Sequence, residues 1–205
     1  QPFDSEQVLT DAVRGQYGEG VPENDKHLPA YRDEPDIADD SSTDTFVAMK
    51  LMIDSWRWAG VPFYLRTGKR MPGRYSEVVI QYKHAPNMMF QGALERHRNI
   101  APNRLVLRIQ PKEGISMEFN AKIPGTEFNV SPVLMDFDYD DYFDECTISS
   151  GYETLIYDCL CGDAMLFKRA DNIEVCWELL QPVLDVWQSL PPRSFPNYPA
   201  CSRGP

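Results

Sequence analysis

Between residues 45 and 139 apolar and polar positions alternate in short runs, and after residue 151 the spacing becomes helical. In residues 45–53, Phe46, Ala48 and Met52 point one way and Val47, Met49, Leu51 and Ile53 the other. Both faces are apolar apart from Lys50, so the expectation is a strand buried on both sides. Residues 62–65 and 77–83 also read as strands. Residues 104–110 set Leu105, Leu107 and Ile109 against Arg104, Val106, Arg108 and Gln110, the pattern of a half-buried strand with a polar face. Residues 114–122 read as its hairpin partner across a turn at 111–114. Residues 133–139 form one more strand, with Leu134, Asp136 and Asp138 opposite Met135, Phe137 and Tyr139.

Helices flank this core. Asp4 and Ser5, with Glu6 close behind, can cap a short helix carrying Val8, Leu9, Ala12 and Val13. Residues 18–44 are rich in Gly, Pro, Asp and Ser and read as a long loop. Residues 55–60 allow one turn capped by Asp54, and Trp56 and Trp58 are expected in core packing or a subunit contact. Residues 84–102 show no clear period. Tyr152, Leu155, Ile156, Cys159 and Leu160 follow helical spacing up to Gly162, which can end that helix. Asp171 is placed to cap a second helix running to about Leu190, with Pro182 kinking or restarting it. From Pro191 the chain is Pro-rich and reads as irregular. Strands in succession followed by helices predict an α+β fold, a large, mostly antiparallel β-sheet backed by helices.

Charge adds a contrast. The net charge is −11, which argues against nucleic acid as a partner. Acidic stretches at 33–44 and 136–145 read as solvated loops. Against that background residues 61–81, VPFYLRTGKRMPGRYSEVVIQ, concentrate Arg66, Lys69, Arg70 and Arg74 between two strand-like runs. Pro72-Gly73 is a turn signal, so the cations fall where one strand ends and the next begins. A dense cationic loop on an acidic protein points to an anionic ligand. Lys offers a compact charge with three donors and Arg a planar fork, and both suit a phosphorylated sugar. Gln110, on the polar face beside Arg108, can donate to and accept from sugar hydroxyls.

Other chemistry is thin. The five cysteines are odd in number and show no CxxC pair, so neither a disulfide framework nor a zinc site is expected. Reduced thiols fit a cytoplasmic protein. His27, His84 and His97 lack metal-ligand spacing, and no metal is expected. No apolar run is long enough to span a membrane. No glycine-rich turn lies between a strand and a helix, so no dinucleotide-binding motif is present. At 205 residues the chain makes one large domain or two small ones, and its start without Met hints at a cut piece of a longer protein.

Several long runs, in order, carry a family resemblance: RGQYGEG (14–20), WRWAGVPFYLRTGKRMP (56–72), LRIQP (107–111), YETLIYDCLCGD (152–163) and the terminal SRGP. Together they resemble the C-terminal domain of glucose-6-phosphate dehydrogenase. The resemblance implies that residues 1–205 are a single substrate-binding and oligomerisation domain. The Rossmann NADP-binding domain and the catalytic His would lie upstream, so no catalytic residue is expected here and the piece alone should be inactive. It implies substrate contacts from Lys69, from Arg74 (Lys in many members) and from Gln110, and a homodimer or homotetramer built through the sheet. Arg66, Arg108, Asp136 and Arg203 match part of a second, structural NADP site known in some members. Tyr75 and Val79 replace basic residues of that site, Ser116 to Glu118 lacks its Tyr and Lys, and the chain stops at Pro205. No structural NADP is therefore expected, and Arg66 and Arg108 read as scaffold ion pairs.

The reaction implied is NADP-dependent oxidation of glucose 6-phosphate to the 6-phosphoglucono-lactone in the pentose phosphate pathway. Two alternatives stand beside it. One is a non-catalytic sugar-phosphate sensor or dimerisation module derived from the enzyme and using Lys69, Arg70 and Arg74. The other is a family enzyme acting on another hexose 6-phosphate.

Overall fold

The computed structural model describes residues 2–21, 27–84, 101–126, 129–143, 151–192 and 194–205. Residues 85–100, with the basic run 96–98 and His97, lie outside these, as does Cys146.

Chain order begins with α1 (Ser5–Asp11). Its start is a capping box: the Gln7 N–H donates to Asp4 Oδ1 at 2.7 Å, and the Asp4 N–H donates back to Gln7 Oε1 at 3.1 Å. The chain then turns straight into β1 (Ala12–Gly15) and β2 (Tyr17–Gly18), two strands that the glycine-rich sequence did not announce. A 3-10 turn, Tyr31–Asp33, interrupts the long loop. Strands β3 (Phe46–Met52), β4 (Pro62–Gly68), β5 (Ser76–Gln81), β6 (Arg104–Gln110), β7 (Gly114–Lys122) and β8 (Val130–Asp138) follow. Helices α2 (Gly151–Cys161) and α3 (Ala170–Ser189) and strand β9 (Tyr198–Pro199) complete the order.

The α+β class holds. Strands β1-β3-β4 form one antiparallel sheet and β5-β6-β7-β8 another, while β2 and β9 pair in parallel. The chain divides into two compact units, Gln1–Gly73 with Leu155–Pro205, and Arg74–Thr154.

The first unit has two apolar clusters. In one, Val8, Val183 and Trp187 are buried with Phe3, Ala12, Val47 and Val186 around them, so α1 and α3 pack together against β3. In the other, Tyr17, Phe46, Tyr198 and Ala200 are buried beneath Leu28, Tyr31, Ala48 and Met71. Each buried side chain of this size stabilises the fold by about 1.5–3 kcal/mol. The second cluster draws on β2, β3, β9 and the turn after β4, so it ties the Pro-rich end of the chain to the basic segment. A Cβ at Gly68 would fall 2.8 Å from Phe46 Cδ2, and one at Gly204, where φ is +113°, 2.5 Å from Phe46 Cε2. Glycine is required at both because the Phe46 ring fills the space.

Among the described residues of the second unit no large apolar side chain is buried, and ion pairs cross the sheet. Arg104 meets Glu118 at 2.7 Å. Arg108 reaches Asp136 at 3.0 Å and also pairs with Asp138. A Cβ at position 114 would meet Arg108 Nη2 at 2.3 Å, so Gly114 makes room for the guanidinium.

Several expectations are corrected. Trp56 is fully exposed and Trp58 half-exposed, its ring edge-on to Phe63 at 5.2 Å, which overturns core packing in this chain and does not bear on a subunit contact. The N-cap of α3 is Arg169, and Asp171 lies inside the first turn. Assignment of α3 runs unbroken through Pro182, which removes one N–H from the ladder without restarting the helix. Helix α2 ends before Gly162 (φ +74°) as expected, yet none of its residues is buried. No described helix is long and apolar enough to cross a membrane.

Candidate functional site

Lys69 directly follows β4, and its main chain is held on both sides. Its N–H donates to Thr45 O at 2.8 Å. Its carbonyl accepts the Tyr198 hydroxyl at 3.0 Å. That same hydroxyl lies 2.9 Å from Thr45 Oγ1 and 3.2 Å from Thr45 O. The Lys69 side chain is exposed, with no hydrogen bond or ion pair among the described residues. A cation on a fixed backbone with nothing of its own to neutralise it is suited to an external anion.

Arg70 behaves differently. It sits in the left-handed region (φ +50°), and its carbonyl accepts the Cys201 N–H at 2.7 Å. Its guanidinium turns to Glu34, with Nη2 2.6 Å from Oε1. Glu34 also accepts the Tyr17 hydroxyl at 3.0 Å. The Arg70 and Tyr17 donors, in that order, hold the Glu34 carboxyl below its usual range. Burial, and then the Glu34 contact, push the Tyr17 phenol up. Arg70 is thus already paired, which removes it from the set of free cations that the sensor reading used.

Arg74 opens the second unit, exposed and without a side-chain partner among the described residues. Gln110 ends β6 opposite Ser76, and its Nε2 donates to Ser76 Oγ at 2.9 Å. The strand pairing therefore brings Gln110 to the start of β5, two positions beyond Arg74. Lys69 belongs to the first unit.

The expected scaffold pairs divide. Arg108 is one, held by Asp136, Asp138 and the Phe137 carbonyl at 3.1 Å. Hydrogen bonding from Ser116, and then from Arg108, lowers the Asp136 carboxyl. Arg66 is exposed on β4 and forms no ion pair among the described residues. The acidic stretches are not merely solvated either, since Glu34, Asp136 and Asp138 all hold arginines. Glu34 was the residue that sequence reading missed. It lies 36 positions from Arg70, in a loop whose acidic composition hides any one partner.

The family model described as glucose-6-phosphate dehydrogenase, C-terminal domain, matches residues 1–205. The chain belongs to this family. Glucose-6-phosphate 1-dehydrogenase of Chlamydia trachomatis is 44% identical over 195 residues, which are 95% of this chain and 44% of that protein. The Bacillus subtilis enzyme is 42% identical over 209 residues, covering 100% of this chain and 41% of that protein. A solved glucose-6-phosphate dehydrogenase in complex with its substrate glucose-6-phosphate superposes with a TM-score of 0.82 at 33% identity. It covers all of this chain, and the match takes up 40% of that structure. The chain thus spans about two-fifths of the length of these relatives.

In this glucose-6-phosphate dehydrogenase C-terminal domain a nicotinamide nucleotide would need a cradle of its own. Tight dinucleotide binding uses a glycine-rich turn between a strand and a helix N-terminus, and the sequence has none. Arg108, a candidate for a second nucleotide, is already satisfied by two carboxylates. The residues of this domain do not fit the cofactor's primary site. Among the described residues no three His, Cys, Asp or Glu side chains could hold a metal ion.

Proposed function

We propose that this chain is the substrate-binding and oligomerisation domain of an NADP-dependent, cytoplasmic glucose-6-phosphate dehydrogenase. The whole protein would oxidise glucose 6-phosphate to the 6-phosphoglucono-lactone at the head of the pentose phosphate pathway. In this reading Lys69 and Arg74 bind the phosphate and Gln110 meets sugar hydroxyls. NADP, and the base that takes the proton as hydride leaves, belong to residues outside this chain. The supporting observation is Lys69: exposed, unpaired among the described residues, and mounted on a backbone anchored at both its N–H and its carbonyl. Family membership and a relative solved with glucose-6-phosphate support that choice of ligand.

Kinetics of the full-length protein test it. Lys69→Ala should raise KM for glucose 6-phosphate by about tenfold or more, since a lost charge-assisted hydrogen bond is worth ~1.5–3 kcal/mol. KM for NADP should stay nearly unchanged. Equal rises in both constants would remove Lys69 from the sugar-phosphate site.

A further inference from the structure

Lys69, without a side-chain partner among the described residues, and Arg70, paired with Glu34, stand side by side in the chain, and their difference has a structural cause. We propose that Glu34, Arg70 and Tyr198 are positioning residues that fix the main chain around Lys69 and so aim its ammonium. The proposal rests on the reading of Lys69 as a phosphate ligand and adds the machinery behind it.

Three ties converge on two consecutive residues. Tyr198 donates to the Lys69 carbonyl. Cys201 donates its N–H to the Arg70 carbonyl. Glu34 holds the Arg70 guanidinium, with Tyr17 bracing the carboxylate from the other side. Arg70 keeps a positive φ that a side chain bearing a Cβ rarely adopts without external hold. The Glu34 contact is a local source of that hold. It also commits the Arg70 guanidinium to a carboxylate, whereas the Lys69 ammonium has no such partner among the described residues. Tyr198 is buried between Phe46 and Tyr17, which fixes its ring and therefore its hydroxyl.

Positioning and direct binding make opposite forecasts. Glu34→Gln releases the Arg70 guanidinium. If Arg70 itself bound phosphate, freeing it would leave KM for glucose 6-phosphate unchanged or lower. On the positioning account KM rises about tenfold, because small misplacements of a binding group are costly, while kcat and KM for NADP hold within about twofold.

The deciding measurement is a double-mutant cycle in the full-length protein, with Tm recorded for each variant. Lys69→Ala, Glu34→Gln and their combination are assayed for KM toward glucose 6-phosphate. Once Lys69 is gone there is nothing left to aim, so Glu34→Gln should add no further rise. Tyr198→Phe, which keeps the ring and removes only the hydroxyl, should raise the same KM several-fold and likewise lose its effect in the Lys69→Ala background. Multiplying effects would overturn the proposal, since they would mark a general structural role. An unchanged or lower KM in both Glu34→Gln and Tyr198→Phe would overturn it as well. If Lys69→Ala alone leaves KM unaltered, the assignment of the phosphate site falls and the positioning account falls with it, a result distinct from either of the others.

Discussion

Glu34 carries its charge between a guanidinium and a phenol, and that placement has a pH signature. Its carboxyl titrates below the usual range because Arg70, and next Tyr17, donate to it. A depressed folded pKa contributes stability above the unfolded value, about 4.3 for Glu, and that contribution is lost as pH falls through the folded value. The Tm difference between wild type and Glu34→Gln should therefore be largest near neutrality and close below about pH 4. A gap that persisted unchanged into acid would show that the carboxylate's charge is not what stabilises. Lys69 was legible at this scale, because a basic run between two strand-like runs in an acidic protein is a local pattern. Its setting was not legible. Tyr198 and Glu34 reach it from distant segments, one read as irregular and the other as solvated, and neither carries a local mark of its partner.

At the scale of elements, β6 and β7 were readable because each has one polar and one apolar face, and their bounds agree with the alternation. Strands β1, β2 and β9 were not, since glycine and proline dominate their neighbourhoods and the pairing partners lie far away. Burial was the harder quantity. Helix α3 shows a long apolar series, but Val183 and Trp187 are buried while Ile173 and Val175 stay exposed. Val183→Ala should lower stability by about 2 kcal/mol, visible as a fall in Tm. Ile173→Ala should stay within about 0.5 kcal/mol. Equal effects would mean that both ends of the helix are covered. Trp58→Ala belongs with this contrast. Its half-exposed ring and edge-on contact with Phe63 set its loss nearer 1 kcal/mol than the 3–5 kcal/mol of a buried tryptophan.

For the whole molecule, the notable quantity is the apolar surface left uncovered. Val79 and Ile80 on β5, Leu134 and Met135 on β8, and Leu160 and Trp177 on the helices are all exposed. Exposed large apolar side chains in this number are a reason to look for an interaction surface. The full-length protein should sediment as a dimer or tetramer, and a monomer at micromolar concentration would remove self-association from the proposed function. The net charge of −11 works the other way, keeping assemblies soluble.

The bond from Tyr198 to the Lys69 carbonyl spans 129 positions. Ribosomes add about 5–20 residues per second, so on the order of 10 seconds separates synthesis of the two residues. Throughout that interval the lysine exists without its anchor. A nascent chain stalled before residue 198 would already contain the cationic loop, yet it would lack the hydroxyl that holds the loop in place. Completion of the proposed site is thereby timed to translation of the segment around Tyr198, and stop codons upstream of it would act on ligand affinity from a distance.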